Sequence, residues 1–104
     1  MAEIVIGVDG GTTAVKAVAF NLSGDVVSTR RESVSVTYGD HGEAEQDMNQ
    51  IWEAVATCIR SVADVLDPAD DVVAIGLTGQ GDGAWLVDEK GTPVPVSYTH
   101  LTMP

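Results

Sequence analysis

Basic residues are scarce in this chain: five Lys and Arg stand against 16 Asp and Glu in 104 residues, a formal charge of -11. Phosphate backbones are gripped by clustered cations, so five scattered ones exclude a nucleic-acid partner, and the same shortage argues against an anionic membrane surface. Cysteine is nearly absent as well. The lone Cys58 cannot form an internal disulfide, and no Cys/His cluster offers a zinc site. Aromatic residues make up 5%, so any core is mostly Val, Ala, Leu and Ile. Long apolar runs are missing too, since none approaches the roughly 18 residues a spanning helix needs. The start, MAEIVIGVDGG, carries Glu3 where a signal peptide would carry positive charge. A soluble, cytoplasmic chain is the expectation.

What is present is globular: 44% hydrophobic and 20% charged residues, in a length that suits one small domain. Residues 4–8 (IVIGV) form an almost continuous apolar run, the pattern of a strand buried on both faces. Residues 14–20 (AVKAVAF) read as the return strand of a hairpin. Asn21-Leu22-Ser23-Gly24-Asp25 is a turn, with Gly24 free to take positive φ. Residues 26–30 would be a third strand and 33–37 (SVSVT) a half-exposed fourth, before a loop over 38–44.

The period then changes. Met48, Ile51, Trp52, Val55, Ile59, Val62 and Leu66 recur at spacings of three and four, an amphipathic helix. Asp47 can cap it, Gln50 stands where a capping box places its partner, and Pro68 stops it. Residues 72–77 (VVAIGL) make another buried-type strand, parallel to the first through the helical crossover, and 84–87 a short one before a turn at 88–92. Two strands of this kind want cover on both faces, yet one helix covers one face only.

Asp9-Gly10-Gly11-Thr12-Thr13, followed by Lys16, fills the tight turn after the first strand. Glycines let backbone N–H groups approach a phosphate, threonine hydroxyls donate to its oxygens, and Lys16 adds charge. Asp9, ending a buried strand, is placed to hold Mg²⁺ through water, because Mg²⁺ favours few carboxylates and retained waters. The same residues also make an ordinary Gly-rich hairpin turn in which Asp9 accepts local hydrogen bonds. Trp52 falls on the apolar stripe and reads as core; Trp85 could stack on a sugar face or pack in its strand. Cys58 reads as a small buried hydrophobe. Asp64, Asp67, Asp70 and Asp71 read as a solvated helix end and turn without function.

Ile6-Gly7-Val8-Asp9-Gly10-Gly11-Thr12-Thr13-Ala14-Val15-Lys16 resembles the first phosphate loop of the actin-like, ribonuclease H-fold ATPases, a loop shared with Hsp70-like and hexokinase-like proteins. Three further stretches resemble the FGGY carbohydrate kinases: Phe20-Asn21-Leu22-Ser23-Gly24, Glu45-Gln46-Asp47-Met48 with Trp52, and Gly76-Leu77-Thr78-Gly79-Gln80-Gly81-Asp82-Gly83. The resemblance implies an α/β chain, a partial N-terminal lobe of that fold with antiparallel β-β-β then α-β. It implies ATP-dependent phosphorylation of a sugar or polyol hydroxyl, with ATP and Mg²⁺ as cofactors. On that resemblance Asp9 is the metal-associated carboxylate, and Gly11, Thr12, Thr13 and Lys16 bind the ATP phosphates. Gln80, Gly81 and Asp82 read the substrate hydroxyls. The Gly-Asp-Gly run with Trp85 looks closest to erythritol-type polyol and pentulose kinases, whereas xylulokinase-like members carry Met-His and glycerol kinase-like members Arg-Glu at Gly81 and Asp82.

The family's catalytic base and adenosine site lie in later segments, beyond position 104, so the chain is expected to be inactive alone. Residues 1–94 are expected to be a partial kinase domain. The tail over 95–104 resembles nothing in the family and reads as disordered or as translated adapter sequence. A homodimeric parent is a further expectation. The other reading is a free-standing phosphate- or partner-binding module of the same superfamily without catalysis.

Overall fold

The computed structural model describes residues 2–81, 85–94 and 98–99. The chain begins with β1 (Glu3–Gly10), β2 (Ala14–Asn21) and β3 (Val26–Ser33), three antiparallel strands. Short strands β4 (Thr37–Tyr38) and β5 (Glu43–Glu45) follow, then helix α1 (Met48–Asp64) and β6 (Asp71–Gly79). Strand β7 (Tyr98–Thr99) joins β4 and β5 in a small second sheet. The main sheet has the order β3-β2-β1-β6, with β6 parallel to β1. The order of an antiparallel β-β-β unit followed by α-β is therefore the one expected.

Local chemistry explains the joints. The Asn21 side chain accepts from the amides of Ser23 and Asp25, both at 3.0 Å, and Gly24 takes φ 87° to close the turn. An L side chain there would occupy the crowded left-handed region. Asp47 caps α1 by accepting from the Asn49 amide at 2.8 Å. Gln50 does not complete a capping box: its Oε1 accepts instead from the Ser35 amide and hydroxyl, at 3.1 and 3.2 Å.

The expected strand over 33–37 breaks for a related reason. The Val34 amide still donates to the Thr13 carbonyl at 3.0 Å, one step beyond the Ala14–Ser33 pair, but β2 begins at Ala14 and the ladder has no further partner strand. Residues 38–44 are not simply a loop, since Thr37 pairs with Glu45 and Tyr38 with Ala44. Near the end, Ala84 lies outside the described residues, and Val87 makes one bridge to Pro93 rather than a strand. The 88–92 turn is present, with the Gly91 amide donating to the Asp88 carbonyl at 3.0 Å.

Ile4, Ile6 and Val8 of β1 and Val15, Ala17 and Ala19 of β2 point to one face, where Ala54, Cys58 and Val62 of α1 cover them. The two alanines let the helix axis come close. Cys58 is fully buried there, its thiol donating to the Val15 carbonyl at 3.5 Å. Burial raises the thiol pKa, and the nearby Glu32 charge adds to the effect.

α1 packs chiefly over β2 and β3, covers the inner face of β1 and does not reach β6. Strand β6 is thus uncovered along its whole length: all nine residues are exposed. The expectation of strands buried on both faces fails here, because apolar composition reports what a strand needs and not what is there to supply it. Asp70 also departs from its expected idleness. Its carboxylate accepts from the Ala2 amide at 2.9 Å, while the Asp71 amide donates to the Ala2 carbonyl at 2.8 Å, so the start of the chain is stapled to the start of β6.

Candidate functional site

β1 and β6 run parallel and end at the same edge of the sheet, where open α/β sheets collect their ligands. The turn from Gly11 to Ala14 projects from that edge. Gly11 donates its amide to the Ala14 carbonyl at 2.9 Å, and a Cβ on Gly11 would sit 3.0 Å from that oxygen. This close approach is the reason for glycine.

The turn is polarised. Three of its carbonyls are engaged from within the protein: Ala14 by Gly11, Thr13 by Val34, and Thr12 by the Gln46 side chain, whose Nε2 donates at 2.8 Å. The backbone amides of Thr12 and Thr13 donate to no described residue, and both side chains are exposed. The loop therefore presents donors outward and keeps acceptors inward, the electrostatic sense of an anion-binding nest.

Asp9 and Lys16 are direct cross-strand partners, with Thr78 beside Asp9 on β6 and Arg31 beside Lys16 on β3. All four share the face away from α1. Asp9, Lys16 and Thr78 line a cleft of about 460 Å³ there, floored by Gly7, Val18 and Phe20. Lys16 thus stands with Asp9 on the open face, not in the turn itself.

Gln80 lies on the other side of the sheet, lining a cleft of about 500 Å³ with Gly10, Met48, Trp52 and Trp85. Trp52 is 67% exposed and belongs to this cleft, so its expected place in the core is corrected: the apolar stripe of α1 runs past the edge of the sheet it covers. Trp85 borders the same space. Gly81 is exposed, and Asp82 lies outside the described residues.

Gln80 reaches back to the 11–14 turn. Its Nε2 donates to Gln46 Oε1 at 2.6 Å, and its own Oε1 is buried without a hydrogen-bond partner among the described residues. The structure accordingly groups Gly11, Thr12 and Thr13 with Gln80 through Gln46, and Asp9 with Lys16 on the opposite face.

A sequence model described as the FGGY family of carbohydrate kinases, N-terminal domain, matches residues 4–98, nearly the whole chain. The chain belongs to the FGGY family. The erythritol kinase of Brucella abortus (strain 2308) is 40% identical to this FGGY chain over 100 residues, which is 95% of the chain and 19% of that kinase. The probable L-xylulose kinase of Pasteurella multocida (strain Pm70) is 34% identical over 90 residues, 86% of the chain and 19% of the relative. Among solved structures, gluconate kinase from Lactobacillus acidophilus superposes with a TM-score of 0.85 at 25% identity, over 95% of this chain and 20% of that one. The chain thus has part of the N-terminal lobe of the actin-like ATPase fold of the FGGY kinases and spans about 19% of the length of the curated relatives it matches.

Within the FGGY motifs, sequence reasoning passed over Gln46. Glu45-Gln46-Asp47 served as a family marker, and only Asp47 was given work, as the helix cap. A non-cap glutamine held between a strand and a helix N-terminus was the available signal. Its partners, Thr12 and Gln80, each lie 34 residues away, out of reach of any local pattern.

Proposed function

We propose that this chain is the first part of an ATP-dependent kinase that phosphorylates a hydroxyl of a sugar or polyol, of the erythritol or pentulose type, and that it does not catalyse alone. The observation that carries the reading is the polarity of the 11–14 turn: the carbonyls of Thr12, Thr13 and Ala14 are tied inward, while the amides of exposed Thr12 and Thr13 donate to no described residue. An ATP phosphate is the anion that such a turn in this family would take. Gly11 permits the close approach, Thr12 and Thr13 supply amide and hydroxyl donors, and Lys16 supplies positive charge from the open face.

The donor set also suits Mg²⁺. Asp9 offers one exposed carboxylate, and among the described residues no cluster of three His, Cys, Asp or Glu exists that would cage a metal. Mg²⁺ is commonly held by one or two carboxylates together with waters and substrate phosphates, which a lone Asp9 fits. When bound, the ion neutralises charge on the phosphates. Asp9 would hold it, directly or through water, at the end of β1.

Gln80, Gly81 and Asp82 are proposed to meet the substrate hydroxyls. Gln80 Oε1, buried and without a partner among the described residues, is an acceptor of the kind a polyol satisfies. Trp85, bordering the same cleft, gives an apolar wall for the carbon face of the substrate. The base that takes the hydroxyl proton belongs to family segments beyond the matched region. A cytoplasmic setting fits: among the described residues no helix is long and apolar enough to cross a membrane.

The test is a chimera in which residues 4–98 replace the matching segment of the B. abortus erythritol kinase. ATP-dependent phosphorylation of erythritol or a pentulose is expected from the chimera and none from the 104-residue chain. A folded chimera that turns over no sugar or polyol overturns the kinase reading. Turnover by the chain itself overturns the claim that it needs further segments.

A further inference from the structure

We propose that Gln46 is a positioning residue: it fixes the amide of Gln80 so that its oxygen is the acceptor for the substrate, and it ties that acceptor to the phosphate-binding turn. The inference rests on the kinase reading for its substrate, but its structural half stands on three hydrogen-bonding groups alone.

The polarity follows from a backbone carbonyl, which cannot be turned round. The Thr12 carbonyl only accepts, so Gln46 must present Nε2 to it, as it does at 2.8 Å. Gln46 Oε1 is then the atom left for Gln80, and it can only accept. Gln80 must therefore donate from Nε2, at 2.6 Å, and its Oε1 is left over as an acceptor. That oxygen is buried and has no partner among the described residues. A buried acceptor left unpaired is unfavourable, so a ligand that brings a donor is favoured there over one that does not. A hydroxyl brings one; a carbonyl or carboxylate does not. A reversed Gln80, with its NH₂ outward, would put two oxygens face to face at Gln46.

Gln46 is well held for this work. Glu45 before it pairs with Thr37 in the small sheet, and Asp47 after it caps α1. The side chain therefore bridges two elements from a backbone with little freedom. Its two ends meet the turn after β1 and the segment after β6, so a shift of either loop reaches the other through one residue.

Two variants separate the two contacts. Gln46→Glu can still accept from Gln80 but cannot donate to Thr12; Gln46→Leu loses both bonds. In the chimera described above, Gln46→Leu is expected to raise the KM for the polyol by about five- to tenfold, the loss of one neutral hydrogen bond's worth of positioning. Gln46→Glu is expected to leave that KM within about twofold while raising the KM for Mg-ATP by a similar five- to tenfold factor. Thermal midpoints should stay together, which a merely structural role would not give. If Gln46→Leu leaves the polyol KM unchanged in an active chimera, the inference falls and the kinase reading stands. If the unsubstituted chimera has no turnover, the kinase reading falls. The amide polarity is then still decided in the 104-residue chain by NMR, as coupling across the hydrogen bond from Gln80 Nε2 to the Gln46 side-chain carbonyl. Absence of that coupling, with Gln80 side-chain protons exchanging as fast as those of exposed Gln50, overturns the relay.

Discussion

At the scale of single residues, burial and partner decide chemistry more than residue type does. Cys58 and Gln80 both carry a buried polar atom, but the thiol has the Val15 carbonyl while the amide oxygen has no partner among the described residues. The thiol makes a pH prediction. Its pKa in the fold is raised above that of an ordinary thiol, first by burial and then by Glu32, so the folded state holds that proton more tightly than the unfolded chain. Stability should be flat with respect to this group below about pH 8.5 and fall as the pH rises past the unfolded thiol's pKa. Chemical denaturation between pH 7 and 10 checks it: Cys58→Ala should lose that alkaline component. Cys58 as a small buried hydrophobe was readable from its place on the helical stripe. Gln46 was not, because a side-chain amide acquires its role from contacts that sequence spacing does not encode.

Elements show the same divide between intrinsic pattern and supplied environment. The β1–β2 hairpin and α1 were legible because alternation, turn residues and three-four spacing are local properties. The break after Ser33 was not, since it depends on where the partner strand β2 gives way to the 11–14 turn. That one sheet face would lack cover was legible from the single helix, but the exposure of β6 along its whole length was not, since its apolar run is indistinguishable from that of β1. Ile6 and Ile75 make the contrast testable. They are register partners on neighbouring parallel strands, yet Ile6 is 1% exposed and Ile75 48%. Ile6→Ala should cost about 2–5 kcal/mol, the range for emptying a packed core position. Ile75→Ala should cost well under about 1 kcal/mol in the monomer, as an exposed substitution does. Denaturant midpoints of the two variants decide the matter, and equal losses would mean that β6 is covered in solution.

For the molecule as a whole, an open sheet edge meets a strong net charge. The radius of gyration is 16.3 Å, whereas a compact domain of this length is near 13 Å, which agrees with a lobe whose sheet is not enclosed. Val73, Ile75 and Leu77 are 48%, 48% and 70% exposed on a strand with no proline or lysine to deter pairing. The charge of -11 opposes association of two copies. Salt screens that repulsion, with a Debye length of about 10 Å at 0.1 M, and leaves the apolar attraction in place. Sedimentation should therefore show self-association that grows with ionic strength, and Ile75→Lys with Leu77→Lys should suppress it. A monomer at every salt concentration would show that the edge is protected.

The staple between Ala2 and the Asp70–Asp71 corner has a practical reach. It pins the start of the chain to the end of the sheet remote from the 11–14 turn, about 25 Å away along the eight residues of β1. A label, a tag or a tether to a solid support attached ahead of Ala2 would therefore stand at the back of the molecule, leaving the 11–14 turn and the Gln80 cleft facing the solution.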